Sequence, residues 1–93
     1  MIRDYLRESE LLKALAHPVR LRIVEGLLSR ECNVNKIVLA LKLPQSTVSQ
    51  HLGVLKKQGI VQIRKDGVKT CYRVIDRRID SLVKLLGEKD NKR

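Results

Sequence analysis

The chain has 93 residues, of which 20 are Lys or Arg and 10 are Asp or Glu, so its formal net charge is +10. This length predicts one small domain with a modest core. Its two cysteines, Cys32 and Cys71, lack the number and spacing of a disulfide scaffold. No run of about 18 apolar residues predicts a membrane span, and no segment resembles a secretory leader, so we expect a cytoplasmic protein.

Two helices are predicted at the start of the chain. The first spans residues 2–16 and ends before Pro18, and one of its sides is crowded by Leu11, Leu12 and Leu15. The second covers about residues 18–29, with the proline in the first turn, where its missing amide proton is tolerated. Its inner stripe is formed by Leu21, Val24, Leu27 and Leu28. A short extended connector over residues 32–34 follows.

The next two helices have the layout of a helix-turn-helix, over residues 35–59. Asn35 is the expected N-cap of the first, which runs through Lys42. Its inward residues are Ile37, Leu41 and either Leu39 or Val38. Pro44 ends this helix and fixes the turn, because proline restricts the preceding residue. In the second helix, Val48, Leu52 and Leu55 recur at i, i+4 and i+7 and form one apolar stripe.

The opposite face of the second helix is polar, mostly short-chained and free of acids: Ser46, Ser49, Gln50, Gly53 and Lys57. Such a helix suits insertion into a major groove, with its first turn at the base edges and its terminal lysines at phosphates. An ordinary amphipathic surface helix is the alternative. Gly53 in mid-helix costs about 0.5–1 kcal/mol relative to alanine, and either close approach to DNA or a packing contact would explain it.

Beyond Gly59 the hydrophobic period changes from about 3.6 to 2. Residues 60–64 and 69–74 are rich in β-branched side chains and flank an Asp-Gly pair, which is a strong hairpin signal. The pattern predicts a β-hairpin wing over residues 60–75. Its basic tip is formed by Arg64, Lys65 and Lys69. The alternative is a solvated hairpin edge that its lysines keep soluble.

A last helix is predicted from about Asp76 to Gly87, with a wide apolar face. The first and last helices carry more apolar surface than a small winged domain needs. We therefore expect residues 2–16 and 76–87 to pack across a two-fold axis in a homodimer, which presents two recognition helices about one DNA turn apart. The expected interface residues are Leu6, Leu11, Ile79, Leu82, Val83 and Leu86.

These elements predict a mainly α fold with a small β-hairpin, a single winged helix-turn-helix domain over residues 1–93 with about five helices and a two-stranded wing. Positive charge is concentrated on its second half. The stretch between Cys32 and Val74 contains eight Lys and Arg residues and a single acid, Asp66, so it has a charge of 8 − 1 = +7. This favours nucleic acid as the partner. Proteins that bind a membrane surface usually carry aromatic anchors beside their cations, and this chain has no Phe or Trp.

Several sequence blocks are specific as a set: LAHPVRLRI at residues 15–23, QSTVSQHL at 45–52, Leu55 with GIV at 59–61, and the wing at 64–74. On these blocks the chain resembles the ArsR/SmtB family of bacterial winged-helix repressors, over nearly its whole length. The resemblance implies a homodimer that represses an operon by binding a palindromic operator in double-stranded DNA. It also implies release from the operator when an inducer binds.

The resemblance is to family members that lack a metal site. Metal-sensing members often carry a Cys-Val-Cys core where this chain has Asn33-Val34-Asn35, and asparagine amides are poor ligands for thiophilic ions. In other members the last helix supplies Asp and His ligands, whereas residues 76–93 contain no histidine. We predict no metal site and no cofactor. The identity of a small-molecule or redox inducer stays open.

DNA contacts are assigned to the recognition helix and the wing. Gln50 can address adenine with two hydrogen bonds, while serine hydroxyls discriminate less. Gln45 is expected to position or cap the helix start, and His51 is either a phosphate donor or a structural histidine. Arg20 and Arg22 are assigned to the fold or the dimer. The full set of expected DNA contacts is Gln45, Ser46, Thr47, Ser49, Gln50, His51, Lys57, Arg64, Lys65 and Lys69.

The two cysteines support an alternative, a repressor with a thiol or persulfide switch. Pairing of the connector with the second wing strand would make Cys32 and Cys71 neighbours. Strand alternation argues against direct pairing, because Cys71 groups with outward residues if Tyr72 faces inward. Basic neighbours favour a reactive thiolate at Cys71, although buried structural thiols are commoner.

Three other functions fit the sequence less well. An enzyme needs a nucleophile with a base, or paired carboxylates in a cleft, and no such constellation occurs. A protein-interaction module would need neither the acid-free polar stripe nor the basic wing. An RNA-binding winged helix shares the charge pattern, and competition between duplex DNA and RNA separates the two.

Overall fold

Within residues 2–29, 32–67 and 69–88, which the computed structural model describes, the chain forms five helices and three strands. The helices are α1 (Tyr5–Leu15), α2 (Pro18–Ser29), α3 (Val34–Leu41), α4 (Gln45–Lys57) and α5 (Arg77–Leu86). The strands are β1 (Cys32–Asn33), β2 (Val61–Asp66) and β3 (Lys69–Val74). This is the predicted winged helix-turn-helix. Across these described ranges, no helix is both long and apolar enough to cross a membrane.

Side-chain caps set the starts of both terminal helices. The Arg7 amide donates to the Asp4 carboxylate over 3.0 Å, so α1 begins at Tyr5 and not at residue 2. The Arg78 amide donates to the Asp76 carboxylate over 2.9 Å, and α5 begins directly after Asp76. An N-cap carboxylate satisfies an unpaired amide and complements the helix dipole.

The short strand β1 changes the predicted start of α3 and the shape of the sheet. Its residues pair with β3, which gives a three-stranded antiparallel sheet in the order β1-β3-β2. Because the chain passes directly from Asn33 into the helix, α3 begins at Val34 and Asn35 lies in its first turn, so the prediction that Asn35 is the N-cap is wrong. The wing strands pair as far as Asp66 and Lys69, which leaves a shorter loop than predicted, and Gly67 there has a φ of +65°.

The core lies between the helices and the base of the wing, and every helix contributes to it. Val48, Leu52 and Leu55 of α4 are buried, as their spacing predicts. In α3, Ile37 is buried and Val38 half-buried, whereas Leu39 is 76% exposed, which decides between the two alternatives. Leu12 of α1 is 51% exposed and does not share the buried side of Leu11 and Leu15.

Three residues that we expected at a dimer interface belong to the core of the subunit. Leu11, Ile79 and Val83 are only 9%, 1% and 6% exposed, because α1 packs on α2 and α4, and α5 packs on α2 and β3. Leu6 and Leu86 are exposed, and Leu82 is half-buried. The outward apolar surface of the terminal helices is therefore formed by a different set: Tyr5, Leu6, Leu12, Leu82, Leu85 and Leu86.

Candidate nucleic-acid interface

Helix α4 presents its acid-free polar side to solvent. Ser46, Ser49 and Gln50 are exposed on this side, while Val48, Leu52 and Leu55 fix the opposite side in the core. Thr47 and His51 are half-buried at one margin, and Gln45 is exposed. The lysines of the last turn, Lys56 and Lys57, are exposed where they complement the helix dipole. Because the buried stripe fixes the orientation of α4, the predicted contact residues of this helix lie together on its exposed side or at the edge of that side.

The start of α4 is set by Pro44 and not by Gln45. Pro44 occupies the N-cap position with φ −57° and ψ 145°, and no side chain caps this end of the helix. The prediction that Gln45 caps the helix is therefore wrong, because Gln45 is its first helical residue. Backbone amides left uncapped at a helix start suit a phosphate oxygen. The first turn of α4 thus offers backbone donors in addition to the side chains of Gln45, Ser46 and Thr47.

The alternation of the wing strands places its cations on two faces. Arg64 lies opposite Cys71 and shares a face with it by register, while the side chain of Lys69 lies outside the described part of the chain. Lys65 lies opposite Thr70, on the other face. Arg64 and Lys65 are both exposed. Arg64 and Lys65 therefore place positive charge on both faces of the wing, whereas the sequence predicted a single basic tip.

Gly53 lies on the exposed side of α4, between the turns that carry Gln50 and Lys57. A Cβ atom built at Gly53 would meet no other atom of the protein within 4 Å. A packing contact within the subunit therefore does not explain this glycine, and that alternative is wrong. Close approach of this side of the helix to DNA stays a prediction.

Behind the exposed side, Arg20 connects α4 to the first helix. Its Nε donates to Nδ1 of His51 over 3.2 Å, and its Nη1 donates to the carbonyl oxygen of Ala14 over 3.0 Å. His17 caps α2 by accepting the Val19 amide at its Nδ1 over 3.1 Å, and the His17 and His51 ring centroids lie 4.5 Å apart. Burial, together with the charges of His17 and Arg20, lowers the pKa of His51 below its ordinary value. This contact was not predicted from the sequence, since its partners are 31 residues apart.

The register of the sheet keeps the two cysteines apart. Cys32 lies opposite Tyr72, and Cys71 lies opposite Asn33. The two cysteines are therefore one position out of register and do not form a direct cross-strand pair, as the alternation argument predicts. Cys71 is a half-buried free thiol. Among the described residues, no group of three or more His, Cys, Asp or Glu could hold a metal ion.

Comparison with known proteins identifies the family. Residues 17–62 match the model of the bacterial regulatory protein, arsR family. The HTH-type transcriptional regulator MJ1325 of Methanocaldococcus jannaschii is 41% identical over 85 residues, which cover 90% of this chain and 96% of that protein. The chain belongs to the arsR family. The transcriptional repressor PagR of Bacillus anthracis is 40% identical over 80 residues, with 85% of this chain and 80% of PagR covered.

Solved structures of arsR-type regulators share the fold. The crystal structure of PagR matches with a TM-score of 0.82 and 38% identity, over 90% of this chain and all of PagR (100%). The homodimeric winged helix-turn-helix DNA-binding domain of Mb0332 from Mycobacterium bovis matches with a TM-score of 0.81 and 30% identity, over 88% of this chain and 76% of that one. This arsR-family protein is accordingly a DNA-binding transcriptional regulator with a winged helix-turn-helix fold, and not an enzyme.

Proposed function

We propose that this arsR-family regulator is a repressor that binds a palindromic operator in double-stranded DNA as a homodimer. The observation that carries the proposal is the exposed, acid-free side of α4 beside a wing with exposed Arg64 and Lys65. A recognition helix held by a buried stripe, with cations at its end, matches what the major groove and the phosphates on either side require. PagR, a repressor by name, is among its relatives.

The residues of the interface have different roles. Gln50 and Ser49 lie at the centre of the exposed side and contact base edges, and Gln50 pairs with adenine through its amide. Ser46 and Thr47, with the uncapped amides of the first turn, contact a phosphate or a base at the groove entrance. Phosphates are the partners of Gln45, Lys57, Arg64, Lys65 and Lys69, and these contacts fix the register without selecting sequence.

The homodimer forms through the outward apolar residues of α1 and α5. Leu6, Leu85 and Leu86 are 75%, 61% and 63% exposed in the single subunit, and Leu82 is half-buried beside them. Burial of such residues against a second copy removes apolar surface from water. A two-fold axis between the copies repeats α4, and the operator is palindromic for that reason. A regulator that binds such an operator acts in the cytoplasm, and residues 1–93 act as one domain.

Operator binding is tested by fluorescence anisotropy with labelled duplex from upstream of the protein's own gene, against a scrambled duplex, over a series of salt concentrations. We expect a preference of at least about a hundredfold for the native duplex. Weak and equal binding that collapses with salt would show nonspecific electrostatics and refute the operator proposal. Added RNA competitor should displace the protein poorly, whereas efficient displacement would favour an RNA-binding winged helix.

Two pairs of variants test the assignments. Gln50→Ala should weaken operator binding by about tenfold to a hundredfold, because a bidentate base contact is worth about 1–3 kcal/mol. Ser29→Ala on the exposed end of α2 is its control. Leu86→Asp should shift the protein to monomer in analytical ultracentrifugation, whereas Leu39→Asp, at a residue that is at least as exposed but lies on α3, should leave the dimer intact.

A thiol-responsive form of this repressor is a separate hypothesis that rests on Cys71. The half-buried thiol lies opposite Arg64 in the wing, so oxidation there would alter the surface that carries the wing cations. The parent protein should then release its operator on oxidant treatment while Cys71→Ser holds it. Equal release by both proteins would end the hypothesis.

A further inference from the structure

The contact between Arg20 and His51 determines where His51 carries its proton. Nε of an arginine is always a donor, and it lies 3.2 Å from Nδ1 of His51 in donating geometry. Nδ1 must therefore be unprotonated, and the neutral ring carries its proton on Nε2. Arg20 cannot turn away easily, because its Nη1 is bonded over 3.0 Å to the carbonyl oxygen of Ala14.

The surroundings of the ring keep it in this state. The charged and titratable groups that act on His51 are Arg20 and His17, whose ring centroid lies 4.5 Å away. His17 is itself held with a bare Nδ1, which accepts the Val19 amide over 3.1 Å. A second proton on His51 would set an N–H against the N–H of Arg20 and place two positive charges side by side. Burial acts in the same direction and lowers the pKa of His51.

His51 lies where a recognition helix faces the DNA backbone. It follows the exposed Gln50 and precedes the buried Leu52, one turn after the half-buried Thr47. It is half-buried itself, at the margin of the polar side of α4. When such a helix lies in the major groove, the centre of its exposed side meets base edges, and its margins meet phosphates.

We propose that Arg20 is a positioning residue that holds His51 in its Nε2–H tautomer, and that His51 donates this proton, as a neutral ring, to a phosphate oxygen of the operator. The proposal deepens the proposed function and rests on it. It differs from the usual histidine–phosphate contact, in which the ring gains a charge. Acidification strengthens that usual contact, whereas here the ring stays neutral and operator affinity should change little as the pH falls through the ordinary histidine range near about 6.5.

Two substitutions at His51 separate its two nitrogens. His51→Gln reaches far enough to keep a donor near the Nε2 position, and should bind the operator within a few fold of the parent. His51→Asn places a carbonyl oxygen near Nδ1 and keeps the Arg20 contact, but has no donor at Nε2. It should lose about tenfold in affinity, as expected for a hydrogen bond to a charged acceptor. Parental binding by both variants, or an equal loss in both, would overturn the donor assignment.

The positioning role of Arg20 is tested by the pH profile of operator affinity between pH 8 and 5.5. Arg20→Met frees Nδ1 to take a proton, so its affinity should rise several fold on acidification, whereas the affinity of the parent stays nearly constant. Arg22→Met removes the same charge from an exposed position on α2 and should keep the parental profile. The role would be overturned if Arg20→Met also kept the parental profile.

The tautomer is read directly from long-range proton–nitrogen NMR correlations of the imidazole rings in the parent protein, which makes the test independent of the folding of Arg20→Met. We expect a protonated Nε2 and a bare Nδ1 at His51, and a protonated Nδ1 would overturn the proposal. If the parent shows this tautomer but no preference for any operator duplex, the proposed function fails. If it binds its operator specifically and His51→Asn binds equally well, only the present inference fails.

Discussion

Gly53→Ala changes the recognition helix at a point where the subunit itself leaves room for a methyl group. The new Cβ meets no protein atom within 4 Å, and the helix is regular on either side of it. Alanine is favoured over glycine inside a helix by about 0.5–1 kcal/mol. The free protein should therefore be more stable by that amount, which raises Tm by about 2–8 °C for a domain of this size.

The same methyl group should weaken operator binding. Gly53 lies on the exposed side of α4 that we propose faces the groove, and a methyl group inserted into a closely packed contact costs about 1–3 kcal/mol. We expect a loss of about tenfold or more in affinity. The assays are thermal unfolding of the free protein, at one protein concentration because a dimer unfolds in a concentration-dependent way, and anisotropy with the operator duplex.

Gly26→Ala is the matched control for this prediction. Gly26 also lies inside a helix, α2, is exposed, and leaves open space where the methyl group of an alanine would stand, with no other atom within 4 Å. Its substitution should give a similar gain in stability with unchanged operator affinity. If Gly53→Ala bound the operator as tightly as the parent, close approach of the α4 backbone to DNA would be refuted. A loss of stability in Gly53→Ala would refute the claim that the space is empty.

Three further predictions concern a cap, a cation and a turn. Asp76→Ala should lower the free energy of unfolding by about 1 kcal/mol, while Asp76→Asn keeps the cap. The hydrogen bonds from the Arg78 side chain, with its backbone amide and charge, lower the pKa of Asp76. The corresponding stability is present above pH about 4 and lost as the pH falls through the lowered pKa, so urea titrations should show an acid-labile component that Asp76→Asn lacks. Arg64→Gln should reduce the slope of log affinity against log salt by about 0.9 if Arg64 neutralises one phosphate, and Lys13→Gln on α1 should not change it. Gly59→Ala should cost about 1 kcal/mol through backbone strain alone, since φ there is +76° and no atom is near; unchanged stability would contradict this.

The sequence was most informative where one local pattern suffices. The spacing of Val48, Leu52 and Leu55, with Pro44 before them, predicts α4 and its buried side without reference to the rest of the chain. The Asp-Gly pair predicts the wing in the same way. The last helix is predicted from about Asp76, and α5 begins directly after this residue, whose carboxylate is a local helix-start signal.

Predictions that depend on packing between elements were less successful. The apolar period of α5 includes both Ile79 and Leu86, but it does not say which lies in the subunit core and which faces outward. β1 has only two residues, so it has no period to detect, and its pairing with β3 is set by the fold. The contact from Arg20 to His51 likewise depends on how α2 packs on α4, and the apolar periodicity within either helix gives no information about it.

The pairing of β1 with β3 also bears on the order in which the molecule can be assembled. Cys32 lies opposite Tyr72, so this ladder closes a segment of about 72 − 32 = 40 residues. Closing a long segment lowers the conformational entropy of the chain before the contacts between its ends have formed. Contacts between distant residues therefore form more slowly during folding than local contacts. The enclosed segment contains the whole helix-turn-helix and most of the wing. A nascent chain released before residue 70 therefore lacks the strand that joins these parts, and we expect the complete DNA-binding surface to form in one late step.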